Sequence, residues 1–422
     1  MKAPFYQRTH CCLCHSTRIE CVVPLAPVPC ASPNVGIDVA AQAAGVQNIW
    51  APLDIYLCHD CGHVQLVHIV DPALQYTNYR YTTSISQGLK GHFETLADDV
   101  MARLVPKTSG FAVEIGSNDG TVLRLLQRRG LSVLGVDPAK DIAAQATKSG
   151  VTTIGDFFTA KLSERIVAEH GKAEIIIANN VIANIDDLTD LVTGIRLLLA
   201  GDGFFVFETG YGADVINRTL LDTVYHEHIS YFMVRSLKPF FAAHGLELID
   251  AEAIISKGGS LRAVVQLRGG PRSVSSRVDQ MIAQELAAGL DRVETFQRFA
   301  AKVANIRRKV QDFVGSQAKF GPIAGYGASV GTVTLINYFD MAQRLAYIAD
   351  DNPLTDALRG PGYAVPVLKS DEIYRNTPAT VLVFAWRYID PIMARHARYL
   401  AAGGNFIVPL PSFKILNSQQ PS

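Results

Sequence analysis

Beyond residue 61 the chain contains no cysteine; all seven fall between Cys11 and Cys61 of its 422 residues. Disulfide cross-links are thereby excluded from everything downstream, which must be held by ordinary packed cores. No run reaches the roughly 18 uninterrupted apolar residues that a membrane-spanning helix requires. No apolar leader of secretory type opens the sequence, so the expected setting is the cytoplasm. Net charge is missing as well, because 39 basic and 39 acidic residues cancel to +0. A chain without basic excess carries no overall electrostatic footprint for nucleic acid or anionic lipid. What remains, 48% hydrophobic and 18% charged, is the composition of a globular protein, at a length that exceeds one core and implies two to three domains.

Four of the cysteines form two Cys-x-x-Cys knuckles, Cys11/Cys14 and Cys58/Cys61, separated by 43 residues. Two thiolate pairs brought together from distant chain positions make a closed tetrahedral zinc site, which supplies folding energy and takes no part in redox chemistry. The competing reading is a disulfide framework, which an intracellular setting disfavours. Cys12, Cys21 and Cys30 read as packing thiols. His59 and His63 flank the second knuckle, but two complete thiolate pairs leave them unneeded as ligands. Residues 1–70, broken by Pro24, Pro27, Pro29 and Pro33, are expected to form this metal-pinned module. A connector with Tyr76, Tyr79 and Tyr81, then a helix through Phe93, Leu96 and Val100, spans 71–105.

From Phe111 short apolar runs alternate with amphipathic segments, the pattern of a parallel sheet covered on both faces. The first run leads into Gly116-Ser117-Asn118-Asp119-Gly120, a tight turn at a strand's carboxyl end where glycine lets a ligand approach the backbone. Asp137 closes the second run 21 residues beyond Gly116, placed to accept both hydroxyls of a ribose. Asp156-Phe157 follows a third run and can flank an adenine; Asn179-Asn180 ends a fourth. This is not the three-glycine pattern of dinucleotide folds, and the set points to S-adenosylmethionine. Glu114, Gly116, Ser117, Asn118, Gly120, Asp137, Asp156, Phe157 and Asn179 are the expected donor-binding residues, within a domain spanning 106–270. A helical stretch over 271–317 bears the apolar stripe Val303, Ile306, Val310, Phe313 and Val314, read as core. A second open sheet follows over 318–412, with a tail at 413–422. The fold class is α/β: a small zinc module, a central Rossmann-like methyltransferase domain and a C-terminal Rossmann-like domain.

The chain resembles the zinc-containing sugar C-methyltransferases, which alkylate a carbon of nucleotide-linked keto-deoxysugars. The resemblance runs through the paired Cys-x-x-Cys, Val113-Glu114-Ile115-Gly116-Ser117-Asn118-Asp119-Gly120, Asp156-Phe157-Phe158, Tyr225-His226-Glu227-His228 and Gly258-Gly259-Ser260-Leu261-Arg262. It continues with Gly325-Tyr326-Gly327-Ala328, Asp350-Asp351-Asn352-Pro353, Phe384-Ala385-Trp386 and Ile407-Val408-Pro409-Leu410-Pro411. It implies a nucleotide-sugar acceptor in the crevice between the two Rossmann-like domains, held by Tyr76, Tyr79, Lys257, Arg262, Tyr326, Asn352 and Trp386. The family's C-terminal domain helps to hold the nucleotide diphosphate, for which the helix start after Gly327 is a suitable anion site.

A carbon nucleophile needs a base beside its C–H and a stabiliser for the enolate oxygen. By its place in the motif His228 resembles the general base, with Glu227 and Tyr225 orienting the sugar or polarising its carbonyl. His226 would share a face with His228 in an extended segment, so this choice rests on the motif. Three departures from the family pattern bear on the acceptor: Asn184 stands where many members have histidine, Lys257 replaces the histidine of His-Gly-Gly, and Gly331 replaces a lysine. Lys257 can restore the positive charge lost at Gly331. Competing readings are O- or N-methylation of another sugar or small metabolite, and a non-catalytic zinc scaffold or nucleic-acid adaptor.

Overall fold

The structure is a computed structural model and describes residues 4–30, 50–76, 82–83, 90–104, 109–352 and 365–418. The first seven strands are β1 (Phe5–Gln7), β2 (Ile19–Val23), β3 (Val28–Pro29), β4 (Trp50–Ala51), β5 (Ile55–Cys58), β6 (Val64–Leu66) and β7 (His68–Val70). They are too short to bury a core of their own. Two of them frame the metal: Cys58 ends β5, Cys61 sits in the turn to β6, and the first knuckle folds against both. The sulfur atoms of Cys11, Cys14, Cys58 and Cys61 all lie within 4.8 Å of one another. Cys11 and Cys61 are 3.5 Å apart, as are Cys14 and Cys58. Zinc–sulfur bonds of about 2.3 Å separate tetrahedral sulfurs by roughly 3.8 Å, so the cage fits a zinc ion.

The central sheet shows why its runs are continuously apolar. It comprises β8 (Phe111–Ile115), β9 (Ser132–Val136), β10 (Thr153–Ile154), β11 (Ala173–Asn179) and β12 (Leu199–Gly210). After the two-residue β13 (Ser230–Tyr231), an antiparallel pair completes it, β14 (Leu246–Ile254) and β15 (Ser260–Leu267). In β11, Ile175 and Ile177 pack into one core while Ile176 and Ala178 pack into another; Phe204/Val206 and Phe205/Phe207 of β12 divide the same way. Alternation with both faces buried leaves no polar face to read. The order is β10-β9-β8-β11-β12-β15-β14, so the chain reverses direction across the sheet between β8 and β11. Ligands of doubly wound sheets bind outside the carboxyl ends of strands at that switch point.

The C-terminal sheet repeats the plan. Its strands are β16 (Ile323–Tyr326), β17 (Leu345–Asp350), β18 (Val367–Lys369), β19 (Thr380–Val383), β20 (Phe406–Val408) and β21 (Lys414–Leu416), in the order β18-β17-β16-β19-β20-β21. The stretch from residue 413, expected as a tail, contributes this last, antiparallel edge strand. Between the sheets stand two helices, Ser276–Ala287 and Val293–Gln317. The longer one buries Phe296, Phe299, Val303, Ile306, Val310 and Val314, a stripe at helical spacing that serves packing.

One junction couples the parts. β13, from the central domain, is the outer strand of the zinc module's own sheet, whose order is β13-β6-β5-β2. Ser230 pairs with Gln65 and Tyr231 with Val64. The Leu66 N–H donates to Ile229 O at 2.9 Å. At the other end of the module, the Tyr6 hydroxyl donates to Asp186 at 2.7 Å and Arg8 forms an ion pair with the same carboxylate. Metal binding and folding of such a module are one equilibrium. Cys58→Ser is therefore expected to abolish zinc retention, lower Tm by about 5 °C or more, and reduce turnover through the displaced β13. Metal analysis, calorimetry and an activity assay check this, and full turnover in the metal-free variant would contradict the coupling.

Candidate active site

A cavity of about 320 Å³ opens at the switch point, lined by residues from the carboxyl ends of β8, β9 and β11. Gly116 starts the turn after β8 with φ of 67°, and a Cβ there would stand 2.2 Å from Val181 Cγ2. Only glycine tolerates both conditions. Asn118, also left-handed with φ of 51°, donates its N–H to Asp137 Oδ2 at 2.8 Å, while the Ala139 N–H donates to Oδ1 at 2.9 Å. These two bonds fix the carboxylate plane and leave lone pairs for a vicinal diol. Burial raises the pKa of Asp137, and the two N–H bonds oppose that rise.

Glu114, 3% exposed, accepts a bond from Asn179 Nδ2 at 3.3 Å. Burial pushes its pKa well above the ordinary carboxylate range, and the negative charges of Asp119 and Asp137 add to the shift. Asp137, Asp186, Asp187 and Asp190 line the same cavity, against Lys257 as the one lysine or arginine among the described lining residues. Arg8 already pairs with Asp186 from outside the lining, and a ligand carrying positive charge offsets the remaining carboxylates. Glu114 Oε2, Ser117 Oγ, Asn179 Oδ1 and Asn184 Oδ1 are buried without hydrogen-bond partners among the described residues. Unmet buried polar atoms at a cavity wall mark positions that a ligand completes. S-adenosylmethionine, with an ammonium, a sulfonium and a ribose diol, fits both the charge and the orphaned atoms.

Tyr225-His226-Glu227-His228 is a turn rather than an extended segment, closed by the His228 N–H donating to Tyr225 O at 2.9 Å. This separates the two histidines that an extended chain would have put on one face. His226 Nε2 turns to the zinc module and lies 3.1 Å from Ala51 O. His228 turns back onto Tyr225, ring centroids 4.1 Å apart. Its Nδ1 lies 2.9 Å from Thr223 O and its Nε2 2.9 Å from the Tyr225 hydroxyl. A carbonyl accepts only, so Nδ1 carries the proton and Nε2 offers its lone pair to the phenol. Desolvation lowers the His228 pKa to about 4, which keeps the imidazole neutral at pH 7 with its Nε2 lone pair unprotonated. Burial raises Glu227 to about 7, partly opposed by the Lys257 charge.

Lys257 links the two regions. It lies on the cavity lining and is exposed there. Desolvation lowers its pKa, and the carboxylates of Glu208 and Glu227 counteract this. Its backbone is left-handed, φ 49°, strained for a non-glycine residue. Tyr225 and Glu227 line a smaller, neighbouring space of about 20 Å³ with Val330, Val333 and Thr334 of the C-terminal domain.

Of the expected donor residues, Glu114, Gly116, Ser117, Asn118, Asp137, Phe157 and Asn179 line the cavity, as does Tyr76 from the connector. Gly120 instead shapes the turn from behind with φ of 75°, its position closed by Val151. Asp156 is exposed beside the mouth and accepts the Phe157 N–H at 2.8 Å. Arg262 points elsewhere: it faces Glu208 across β12 and β15 in a buried ion pair of 2.7 Å, with Asp99 and Glu252 as further partners. Tyr326 is 2% exposed and donates to Asp351 Oδ2 at 2.8 Å. Asn352 follows β17 on the surface, where its N–H caps Asp350. Trp386 lies half-buried under Arg387. Tyr79 falls outside the described residues. Thr83, whose N–H donates to Asn118 Oδ1 at 2.8 Å, and Asp186 line the cavity without having been singled out as ligands. Only the fold brings them there. The helix start after Gly327 is partly used already, since Thr332 Oγ1 accepts the Ser329 N–H at 3.1 Å.

A doubly wound sheet with an acidic switch-point cavity, a glycine turn and an aspartate closing the second strand defines an S-adenosylmethionine-dependent methyltransferase. Family models agree along the chain: a zinc binding domain over residues 11–76, a methyltransferase domain over 89–251 and a C-methyltransferase C-terminal domain over 255–411. The C-methyltransferase NovU of Streptomyces niveus is 30% identical over 370 residues, covering 87% of this chain and 88% of NovU. The chain belongs to this C-methyltransferase family. Among solved structures, the PH0226 protein of Pyrococcus horikoshii aligns with 44% of this chain and 94% of its own, at 18% identity and a TM-score of 0.37. The magnesium protoporphyrin IX methyltransferase of Synechocystis, with bound SAM, aligns with 43% and 80%, at 11% identity and a TM-score of 0.33. Both scores are too low to bear on function. No described helix is long and apolar enough to cross a membrane.

Glu227 holds its proton to about pH 7 in the folded chain but loses it near the ordinary 4.5 when unfolded. The folded state thus binds more protons within that window, and stability falls as pH rises through it. Relative to Glu227→Gln, the wild-type Tm is expected to drop between about pH 5 and about pH 7 and to level off above. Calorimetry across that range checks it; a constant difference would show that Glu227 ionises normally.

Proposed function

We propose that this protein C-methylates a nucleotide-linked 4-keto-deoxysugar, with His228 as the general base. The observation that carries this is the neutral, half-buried His228 whose Nε2 lone pair meets the Tyr225 hydroxyl at 2.9 Å. The proton leaves the carbon beside the carbonyl, reaches His228 through the Tyr225 oxygen, and the electron pair moves onto the carbonyl oxygen to give an enolate. Lys257, on the cavity lining and electrostatically coupled to Glu227, is suited to hold that oxygen. When bound, S-adenosylmethionine supplies an electrophilic methyl whose sulfur leaves as a neutral thioether. The chain's own task is then alignment of the enolate carbon with that methyl.

A nucleotide handle on the acceptor is supported by the C-terminal sheet, which repeats the donor site's diol geometry. Gly327 turns with φ of 97° after β16. Asp350, at the end of β17, accepts the Ala328 N–H at 2.6 Å and the Asn352 N–H at 2.8 Å, as Asp137 does from Asn118 and Ala139.

Incubation with S-adenosylmethionine and a panel of nucleotide-linked 4-keto sugars should give a product heavier by one CH2, with the new methyl on carbon by NMR. His228→Gln is expected to lower kcat by about 100-fold or more; full turnover would remove the base assignment. Lys257→Met should raise the acceptor KM, lower kcat, or both, while leaving the KM for S-adenosylmethionine nearly unchanged. A selective loss of donor affinity would instead place Lys257 with the donor.

A further inference from the structure

Thr223, whose carbonyl fixes Nδ1 of His228, belongs to the short turn Leu221–Thr223, and that turn is gripped from outside its own domain. Arg387, from the segment after β19, places Nη1 2.8 Å from Asp222 Oδ2, with the two side chains 27% and 9% exposed. The Arg387 guanidinium stacks over the Trp386 ring at 4.9 Å. Its stem also covers the turn that carries Lys257, since a Cβ on Gly258 would lie 2.4 Å from Arg387 Nε. Two further contacts hold the same turn. The Thr334 hydroxyl donates to Val224 O at 2.6 Å, and a Cβ on Gly331 would meet Asp222 O at 2.1 Å.

We infer that Arg387 is a positioning residue for methyl transfer: from the C-terminal domain it holds the Asp222 turn and the Lys257 turn in register, and so fixes His228 and Lys257 relative to one another. The guanidinium suits this task because a planar, permanently charged fork can hold a carboxylate on one side while stacking on an indole. Burial raises the Asp222 pKa and Arg387 pulls it back down, with Trp386 helping. The effect of Asp222 and Arg387 passes through the Thr223 carbonyl and the Gly258 turn and needs no contact with substrate. Losing the clamp frees both turns, and misplacement on the scale of one ångström costs about 100-fold in rate.

This inference rests on His228 being the base, and one set of variants separates the two. Arg387→Met keeps the stem and removes the fork; the expected result is a kcat lower by roughly 10- to 100-fold, with the KM for S-adenosylmethionine and the Tm nearly unchanged. Asp222→Asn should act likewise, and the double variant should be no worse than either single one. Arg387→Lys should recover part of kcat, as a purely packing role would not require. If Arg387→Met raises the acceptor KM at constant kcat, the residue binds substrate and the inference is overturned. Multiplicative losses in the double variant overturn it too. Were His228→Gln inactive but Arg387→Met and Asp222→Asn fully active, this inference alone would fail; a fully active His228→Gln would remove its premise.

Discussion

The pairing of β13 with β6 is the contact on which the site's geometry depends. A two-residue strand from the central domain completes the sheet of a module that has no core of its own, and that module exists as a folded object because four thiolates share a metal. Tyr225 to His228 lie immediately before β13, so the loop enters β13 at a height and direction set by the zinc hairpin. His226 reinforces the arrangement by pointing into the module toward Ala51 O and Pro52 O. The metal is distant from the reacting atoms in chemistry and close to them in mechanics.

Burial does most of the electrostatic work around this loop. His228 is kept neutral and Glu227 partly protonated because both are desolvated. The cavity at the switch point works in the opposite sense, with carboxylates on its wall that favour a cation.

The sheets were legible because their residues alternate between two buried faces, which leaves runs such as Ile175-Ile176-Ile177 with no other home. The cavity lining was legible for a related reason: a glycine turn and an acidic strand end are local in sequence, and each takes its shape within a few residues. Legibility ended where the partner is distant along the chain. Arg262 reads as a substrate cation until Glu208 is found opposite it in register across β12 and β15. Tyr326 reads as a ligand until Asp351 and His396 take up its hydroxyl. The turn at Tyr225 to His228 was equally hidden, because four polar and aromatic residues carry no periodicity by which to tell a turn from a strand. The closeness of the C-terminal domain to Asp222 lies deeper still, written only as the absence of a side chain at Gly331.

That glycine has a consequence for how such enzymes can be recombined. Where position 331 has no side chain, the helix Val330–Tyr338 sits directly on the Asp222 backbone, and the gap between the central and C-terminal domains is as small as a backbone allows. Any side chain grafted there meets a carbonyl first. The C-terminal domain is therefore not a freely interchangeable module in this chain: the helix and the turn beneath it form one inheritable unit, and exchange of either requires exchange of both.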